Sequence, residues 1–196
     1  SVRAMEAGAL AIVEKPPGIG HADYERSAQD LTRTVKLMSE VSVVRRWRKT
    51  RRLPLAPREP SLDARSVKAV LIGASTGGPP VLQTVLSGFH AGFPAPILVV
   101  QHIAKGFIEG MLEWLGAAIS LPVSLARDGE RALPGRVYFA PDDHHMGIDA
   151  SGRFFLSMDA PENGIRPSIS FLFRSALASY GAEVVAVLLT GMGKDG

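Results

Sequence analysis

The 196-residue sequence contains no cysteine. This absence excludes disulfide bonds, cysteine-ligated metal sites and catalysis by a thiol. It also suits a reducing compartment, so we expect the protein in the cytoplasm. The sequence has no apolar run long enough to cross a bilayer, and residues 1–10 lack the charged-then-apolar order of a signal peptide. We therefore expect no direct insertion into a membrane.

Excess positive charge is confined to one short stretch. The formal net charge is +3, and without this stretch the rest of the chain is net negative. Its six basic residues are Arg45, Arg46, Arg48, Lys49, Arg51 and Arg52. Three prolines follow before residue 61, and the composition of residues 45–66 is typical of a linker. Nucleic acid could bind such a cluster, with Trp47 as an aromatic contact, but basic clusters on connectors are more often solvated. We expect no nucleic acid partner.

Apolar stretches alternate with amphipathic ones from residue 67 onward. With 46% hydrophobic and 21% charged residues, the chain has the composition of a globular protein. The pattern predicts strands at 67–74, 97–102, 121–126, 136–140 and 184–189, helices at 79–87, 106–119 and 168–180, and a β-hairpin of 146–149 with 154–158. Strands alternating with helices predict a doubly wound, mainly parallel α/β sheet, a Rossmann-like three-layer arrangement with the hairpin added.

The first of these strands breaks into a glycine-rich turn. Glycines allow close backbone approach, and a following helix offers free N–H groups, so the turn could bind phosphate. Alternatively, Gly73-x-Ser75-x-Gly77 is the pattern of a nucleophile elbow, which exposes a serine between strand and helix. Gly73 and Gly78 have the separation of a phosphate loop, but Pro79 stands where that loop needs lysine. The elbow is favoured, and a non-catalytic nucleotide- or phosphate-binding signalling module is the alternative.

Polar residues also follow two other predicted strands. Gln101-His102 ends one of them, and residues 190–196 follow the last one. Ligands gather at the carboxyl ends of parallel strands. A serine hydroxyl needs a base to take its proton, and that base benefits from an acid that fixes its tautomer. Ser75, His102 and Asp195 are therefore one candidate catalytic set.

A second candidate set lies between the fourth strand and the hairpin. It takes Asp142 or Asp143 with His144 or His145, in the Ser, Asp, His order of the α/β-hydrolases. These residues lie in a predicted loop, whereas His102 and Asp195 follow strands directly. That placement favours the first set, and the sequence pattern alone leaves both open.

The beginning of the chain resembles the end of a response-regulator receiver domain. A short predicted strand at 9–14 ends in Lys15-Pro16, and an amphipathic helix is predicted over 24–44. The resemblance implies that residues 1–44 are the C-terminal remnant of a flavodoxin-like receiver domain, with Lys15 beside a phosphoacceptor aspartate. That aspartate is not in this sequence. A full receiver domain implies a sensor histidine kinase as partner.

The rest of the chain resembles the chemotaxis protein-glutamate methylesterase family through a series of ordered motifs. They are IGASTGG at 72–78, QH at 101–102, DGER at 128–131, APDDHHM at 140–146, RPS at 166–168 and LTGMGKDG at 189–196. Family members join a receiver domain through a linker to a catalytic domain. The resemblance therefore implies that residues 67–196 are the catalytic domain and residues 45–66 the linker.

The resemblance also assigns roles to the residues of the first candidate set. It implies that Ser75 is the nucleophile, that His102 is the general base and then the acid, and that Asp195 is the partner of His102. It points to the backbone N–H of Met192 as an oxyanion donor, and local geometry adds that of Thr76.

Two further residues, His145 and Arg166, match recurring positions of the family near its cleft. We expect them to contact the substrate or to support the site. The family hydrolyses γ-glutamyl methyl esters on the cytoplasmic helices of chemoreceptors and commonly deamidates selected receptor glutamines. It implies no cofactor and no metal for the esterase domain.

In this family, further strands and helices follow the position of Gly196. We therefore expect the sequence to be truncated at both ends. Asp195 would be poorly held beside a free terminus, so we expect the 196-residue chain to be inactive or weakly active.

Overall fold

The computed structural model describes residues 4, 9, 13–39, 67–189 and 195–196. The linker expected at 45–66, most of the strand expected at 9–14 and the end of the helix expected beyond residue 39 lie outside these residues. Helix α1, Tyr24–Ser39, confirms the helix predicted to begin at residue 24. It belongs to a unit separate from residues 67–189 and 195–196, and each unit is described by itself. Its origin in a receiver domain stays a prediction.

The larger unit confirms the predicted alternation of strands and helices. In chain order its elements are β1 Ala69–Ala74, α2 Gly78–Leu86, β2 Ile97–Gln101, α3 Ile108–Ala118, β3 Val123–Leu125, β4 Val137–Phe139, β5 His145–Ile148, β6 Phe154–Ser157, α4 Ile169–Tyr180 and β7 Val184–Leu188. Five strands form a parallel sheet in the order β3-β4-β2-β1-β7. Strands β5 and β6 pair as the predicted antiparallel hairpin.

Side chains on β1 alternate between two cores, one on each face of the sheet. Leu71 is buried with Leu172 of α4 and Phe154 of the hairpin. Ile72 faces the other way and is buried in a core that includes Leu115 of α3. Because successive side chains of a strand point to opposite faces, β1 contributes to the cores on both sides of the sheet. The outer strand β7 is also apolar throughout but is partly exposed. The central strands β1 and β2 are buried at every position.

Among the helices that the structure describes, none is both long and apolar enough to cross a bilayer.

Candidate active site

Three neighbouring strands of the sheet end at the same edge. Strand β1 lies between β2 and β7, and Ser75 follows β1 directly, as His102 follows β2. The strand pairing continues to this edge, because the N–H of His102 donates to the carbonyl oxygen of Ala74 at 2.9 Å. The edge of the sheet predicted to hold polar side chains is therefore formed by adjacent strands.

Ser75 lies on a tight bend between β1 and α2. The N–H of Gly78 donates to the carbonyl oxygen of Ser75 at 2.8 Å. Gly77 caps the helix in the left-handed region, at φ 73°, which favours glycine. The Ser75 side chain is half-buried, and its hydroxyl has no hydrogen-bond partner within residues 67–189 and 195–196. The bend thus presents a hydroxyl that its own turn does not use.

The glycines on either side of Ser75 are required by packing against other side chains. A Cβ on Gly73 would collide with Ile169 of α4, and a Cβ on Gly78 would collide with the side-chain amide oxygen of Gln101. Protein side chains therefore occupy the space beside both glycines. Packing against these side chains accounts for the two glycines, so phosphate binding is not needed to explain them.

Gln101 joins the serine turn to the histidine, a role that the sequence analysis missed. Its Nε2 donates to the carbonyl oxygen of Ser75 at 2.9 Å and to that of His102 at 2.7 Å. The residue is 4% exposed, and its Oε1 has no hydrogen-bond partner in the described part of the chain. The sequence did contain a signal for this role, because a polar residue ends a buried strand immediately before His102.

Replacing Gly78 with alanine is expected to displace Gln101 and to destabilise the protein by about 1–3 kcal/mol, because the new methyl group overpacks a filled site. Gly116→Ala is the matched control, since Gly116 lies in the last turn of α3 and a Cβ there meets nothing within 4 Å. That change should stabilise by about 0.5–1 kcal/mol. Urea unfolding of both variants checks the pair, and equal effects would contradict the packing argument.

His102 is hydrogen-bonded to Asp195. Its Nε2 is 3.0 Å from Oδ2 of Asp195, and the two side chains are 15% and 2% exposed. Since Nε2 is engaged by Asp195, Nδ1 is the ring nitrogen that remains available to accept a proton. The described residues include no hydrogen bond between Ser75 Oγ and His102. Catalytic hydrogen bonds of unliganded sites often form only when substrate binds.

The first turn of α4 fixes the Asp195 carboxylate. Its Oδ2 accepts the N–H of Ile169 at 2.7 Å, and its Oδ1 accepts the N–H of Ser170 at 2.9 Å and lies 2.8 Å from Ser168 Oγ. Free N–H groups and the positive end of the helix dipole both favour a carboxylate at this place. The expectation that Asp195 is poorly held is therefore wrong, because its carboxylate is hydrogen-bonded to the first turn of α4.

These contacts also determine the charge of Asp195. Burial raises its pKa, but hydrogen bonds from His102, from the backbone and side chain of Ser170 and from the Ile169 N–H outweigh burial. The pKa of Asp195 consequently lies well below its ordinary value of 3.8. Asp195 is ionised at neutral pH and can stabilise an imidazolium on His102.

The lowered pKa of Asp195 predicts an acid-sensitive contribution to stability. Because the folded-state pKa is below the unfolded one, this contribution is fully present above about pH 4 and is lost as the pH falls below it. We expect the free energy of unfolding to fall more steeply between about pH 5 and 2.5 in the wild type than in Asp195→Asn. Denaturant titrations across this range check the slope, and parallel curves would refute the prediction.

His145 is placed as a support for this network. It is fully buried, its Nδ1 accepts the N–H of Ser168 at 3.1 Å, and its Nε2 is 3.3 Å from the carbonyl oxygen of Ala160. The ring stacks on Phe171 with centroids 4.7 Å apart. Of the two roles expected for His145, this position suits support, since substrate does not reach a fully buried ring.

Arg166 anchors the segment after the hairpin. Its Nη1 donates to the carbonyl oxygens of Met158 at 2.8 Å and Asp159 at 2.9 Å. Arg166 also contributes to lowering the pKa of Asp143, although the hydrogen bond from Lys105 is the main cause. Arg166 is thus fixed by its own loop and adds positive charge near the carboxyl edge of the sheet.

The second candidate set is not assembled in the structure. Asp143 pairs with Lys105 at 2.5 Å, and Asp142 Oδ2 accepts the N–H of Gly106 at 2.6 Å. The Nδ1 of His144 bonds to the backbone carbonyl oxygen of Asp142. In the described ranges neither carboxylate is bonded to an imidazole, so the geometry favours the set with His102 and Asp195.

The structure describes only one of the two expected oxyanion donors. The N–H of Thr76 lies in the Ser75 turn and has no backbone acceptor within the described residues. Met192 lies outside them. Among the residues described, no three His, Asp or Glu side chains are grouped in a way that could hold a metal ion.

Comparisons with known proteins give the family of this chain. The family model described as CheB methylesterase matches residues 70–196. A protein-glutamate methylesterase/protein-glutamine glutaminase of Nitrosospira multiformis is 50% identical over 98% of this chain and 56% of that protein. A protein of the same name from Syntrophus aciditrophicus is 51% identical over 99% of this chain and 57% of its own length.

The solved structures agree with the sequence comparison. The crystal structure of the Thermotoga maritima CheB methylesterase catalytic domain matches with a TM-score of 0.64 at 44% identity, covering 67% of this chain and 71% of that one. The chain spans a little over half the length of the curated relatives it matches. Family model, identity and parallel sheet all lead to one conclusion: this chain belongs to the CheB methylesterase family.

Proposed function

We propose that this chain carries the catalytic part of a serine hydrolase that removes methyl groups from γ-glutamyl methyl esters of chemoreceptors. The observation that carries the proposal is the hydrogen bond from His102 to Asp195, beside the unbonded hydroxyl of Ser75 at one sheet edge. The relatives named protein-glutamate methylesterase/protein-glutamine glutaminase support ester hydrolysis at protein glutamates, and their name adds deamidation of protein glutamines.

In the proposed first step, Ser75 Oγ attacks the ester carbonyl carbon while Nδ1 of His102 takes the serine proton. The carbon–oxygen bond to methanol then breaks, and His102 returns the proton to the leaving oxygen. Water, deprotonated by His102, attacks the acyl carbon. The bond from that carbon to Ser75 Oγ then breaks and His102 returns the proton to Oγ, which releases glutamate and free Ser75. With a glutamine substrate the same steps release ammonia. Asp195 keeps the imidazole oriented and stabilises its positive charge.

The tetrahedral intermediate carries a negative oxygen that needs donors. We assign the backbone N–H groups of Thr76 and Met192 to it. Thr76 is favoured because its N–H is unused in the turn that holds Ser75. Removing one such donor typically costs about 3–4 kcal/mol of transition-state stabilisation.

The remaining proposals concern the whole protein. We propose cytoplasmic helices of methylated chemoreceptors as the substrate, a sensor histidine kinase as partner through a full receiver domain, and the cytoplasm as the location. The reaction written above needs no cofactor. Nucleotide binding at residues 73–78 is not proposed, because Gln101 and Ile169 fill the space beside Gly78 and Gly73.

The test is methanol release by the full-length protein from a receptor fragment that carries γ-glutamyl methyl esters. A simple methyl ester serves as the comparison substrate, and an unmethylated fragment as the blank. Faster release from the receptor fragment supports the receptor-directed reaction. Equal turnover of both esters indicates a general esterase, and no release from either removes the proposal.

A further inference from the structure

The hydroxyl of Ser168 lies between two carboxylates. Its Oγ is 2.8 Å from Oδ1 of Asp195, 2.8 Å from Oε2 of Glu162, and accepts the N–H of Phe171 at 3.1 Å. Ser168 is fully buried. A hydroxyl has a single proton, so Ser168 can donate to only one of the two carboxylates at a time.

Glu162 is held from its other side by α4. Its Oε1 bonds to Nη2 of Arg174, and the two side chains are 27% and 60% exposed. A continuous series of polar contacts therefore runs from the exposed Arg174 through Glu162 and Ser168 to Asp195. The hydrogen bond of Asp195 to His102 continues it to the imidazole.

We propose that Glu162 is a positioning residue for the pair of Asp195 and His102 and acts through the proton of Ser168. The Glu162 carboxylate competes for that proton and adds negative charge behind Asp195. Both effects leave Asp195 a better acceptor for the imidazole N–H, which favours the protonated ring. The inference rests on the proposed function, since it gives Glu162 a part in setting the basicity of the proposed general base.

Other charged groups near this series have different partners. His145, from β5, faces the backbone N–H of Ser168, and Arg166 donates to the carbonyl oxygens of Met158 and Asp159. In the part of the chain that the structure describes, neither bonds to Glu162 or Asp195. Lys194 lies outside that part. A change at Glu162 therefore acts on the Ser168 proton and on the local charge.

The experiment is an NMR titration of the His102 imidazole in the full chain. The sequence has five histidines, and His102→Gln assigns the signal. Glu162→Gln keeps the size of the side chain, and its amide can donate to Ser168 Oγ, which returns the hydroxyl proton to Asp195. We expect the titration midpoint to fall by about 0.5–1 pH unit, as for one charge removed at a distance of several ångströms.

Removal of Arg174 should shift the titration midpoint of His102 in the opposite direction. Arg174→Met leaves the Glu162 charge uncompensated, so the midpoint should rise by about a few tenths of a pH unit, a smaller effect because Arg174 is exposed. The matched control is Glu183→Gln. Glu183 pairs with Lys68 at 2.7 Å beside the amino end of β7, so its removal should leave the midpoint unchanged.

A midpoint that stays at the wild-type value or rises in Glu162→Gln would overturn the inference. A purely structural role for Glu162 would lower the unfolding free energy and leave the midpoint in place, which counts as the same refutation. The titration needs no ester, so its outcome is separate from failure of the proposed function. If methanol is released, the acid limb of the rate should move in the same direction as the midpoint.

Discussion

Replacing Ser75 with alanine is expected to lower the rate of methanol release by about 10⁴- to 10⁶-fold, the loss typical of removing a serine nucleophile. The substitution deletes the oxygen that would form the acyl-enzyme. It should leave the fold intact, because the Ser75 hydroxyl has no partner within the described residues and the turn is held by its carbonyl oxygen instead. The measurement is methanol release by full-length protein, with thermal unfolding to show that the variant folds.

Ser87→Ala is the matched control for this loss. Ser87 ends the same helix α2, where its hydroxyl donates to the carbonyl oxygen of Gln83 at 2.6 Å in an exposed position. Its removal should change the rate less than about twofold. Substantial methanol release by Ser75→Ala would show that Ser75 is not the nucleophile, whatever its position in the turn.

Replacing Asp195 with asparagine is expected to affect both rate and stability. Each carboxylate oxygen of Asp195 faces two donors, Oδ2 facing His102 and Ile169, and Oδ1 facing Ser168 and Ser170. An amide nitrogen in either position leaves a backbone N–H of α4, that of Ile169 or that of Ser170, without its acceptor. The rate should fall by about 10⁴-fold because His102 loses its orienting charge. The free energy of unfolding should fall by about 2–4 kcal/mol because buried donors lose their acceptor.

Asp149→Asn provides the comparison for Asp195→Asn. The pKa of Asp149 is also lowered, mainly by the backbone N–H of Arg153 and the side chain of Ser151, but this carboxylate lies in the hairpin turn. Asp149→Asn should therefore leave the rate of methanol release unchanged. Wild-type rate and stability in Asp195→Asn would contradict the account of how α4 holds the carboxylate.

The sequence was sufficient to predict the sheet and its polar edge. Strands β1, β2 and β7 are short apolar runs, each followed by polar or glycine-rich residues, and this pattern alone predicts which residues gather at one edge. The hairpin of β5 and β6 was also predicted, and the structure confirms it.

What could not be predicted depends on contacts between segments far apart in the chain. Asp195 is anchored by the first turn of α4, which lies 25 to 27 residues earlier in the chain, and no local pattern relates the two. Gly78 is required by the amide of Gln101, a residue that the sequence marks only as preceding His102. His145 matched a motif near the cleft, yet it is fully buried and stacks on Phe171 of α4. Such roles arise from packing.

The central claim is that Ser75 is the nucleophile and that His102 activates it. The most direct test is to determine which serine of the protein is activated. The full-length protein is treated with a fluorophosphonate that labels activated serines, digested with trypsin and sequenced by mass spectrometry. The peptide of residues 69–105 contains Ser75 and Ser87, so fragmentation distinguishes them. The account predicts a single adduct, on Ser75, that forms far more slowly in His102→Gln. An adduct on another residue, or labelling of Ser75 at the same rate without His102, would contradict it.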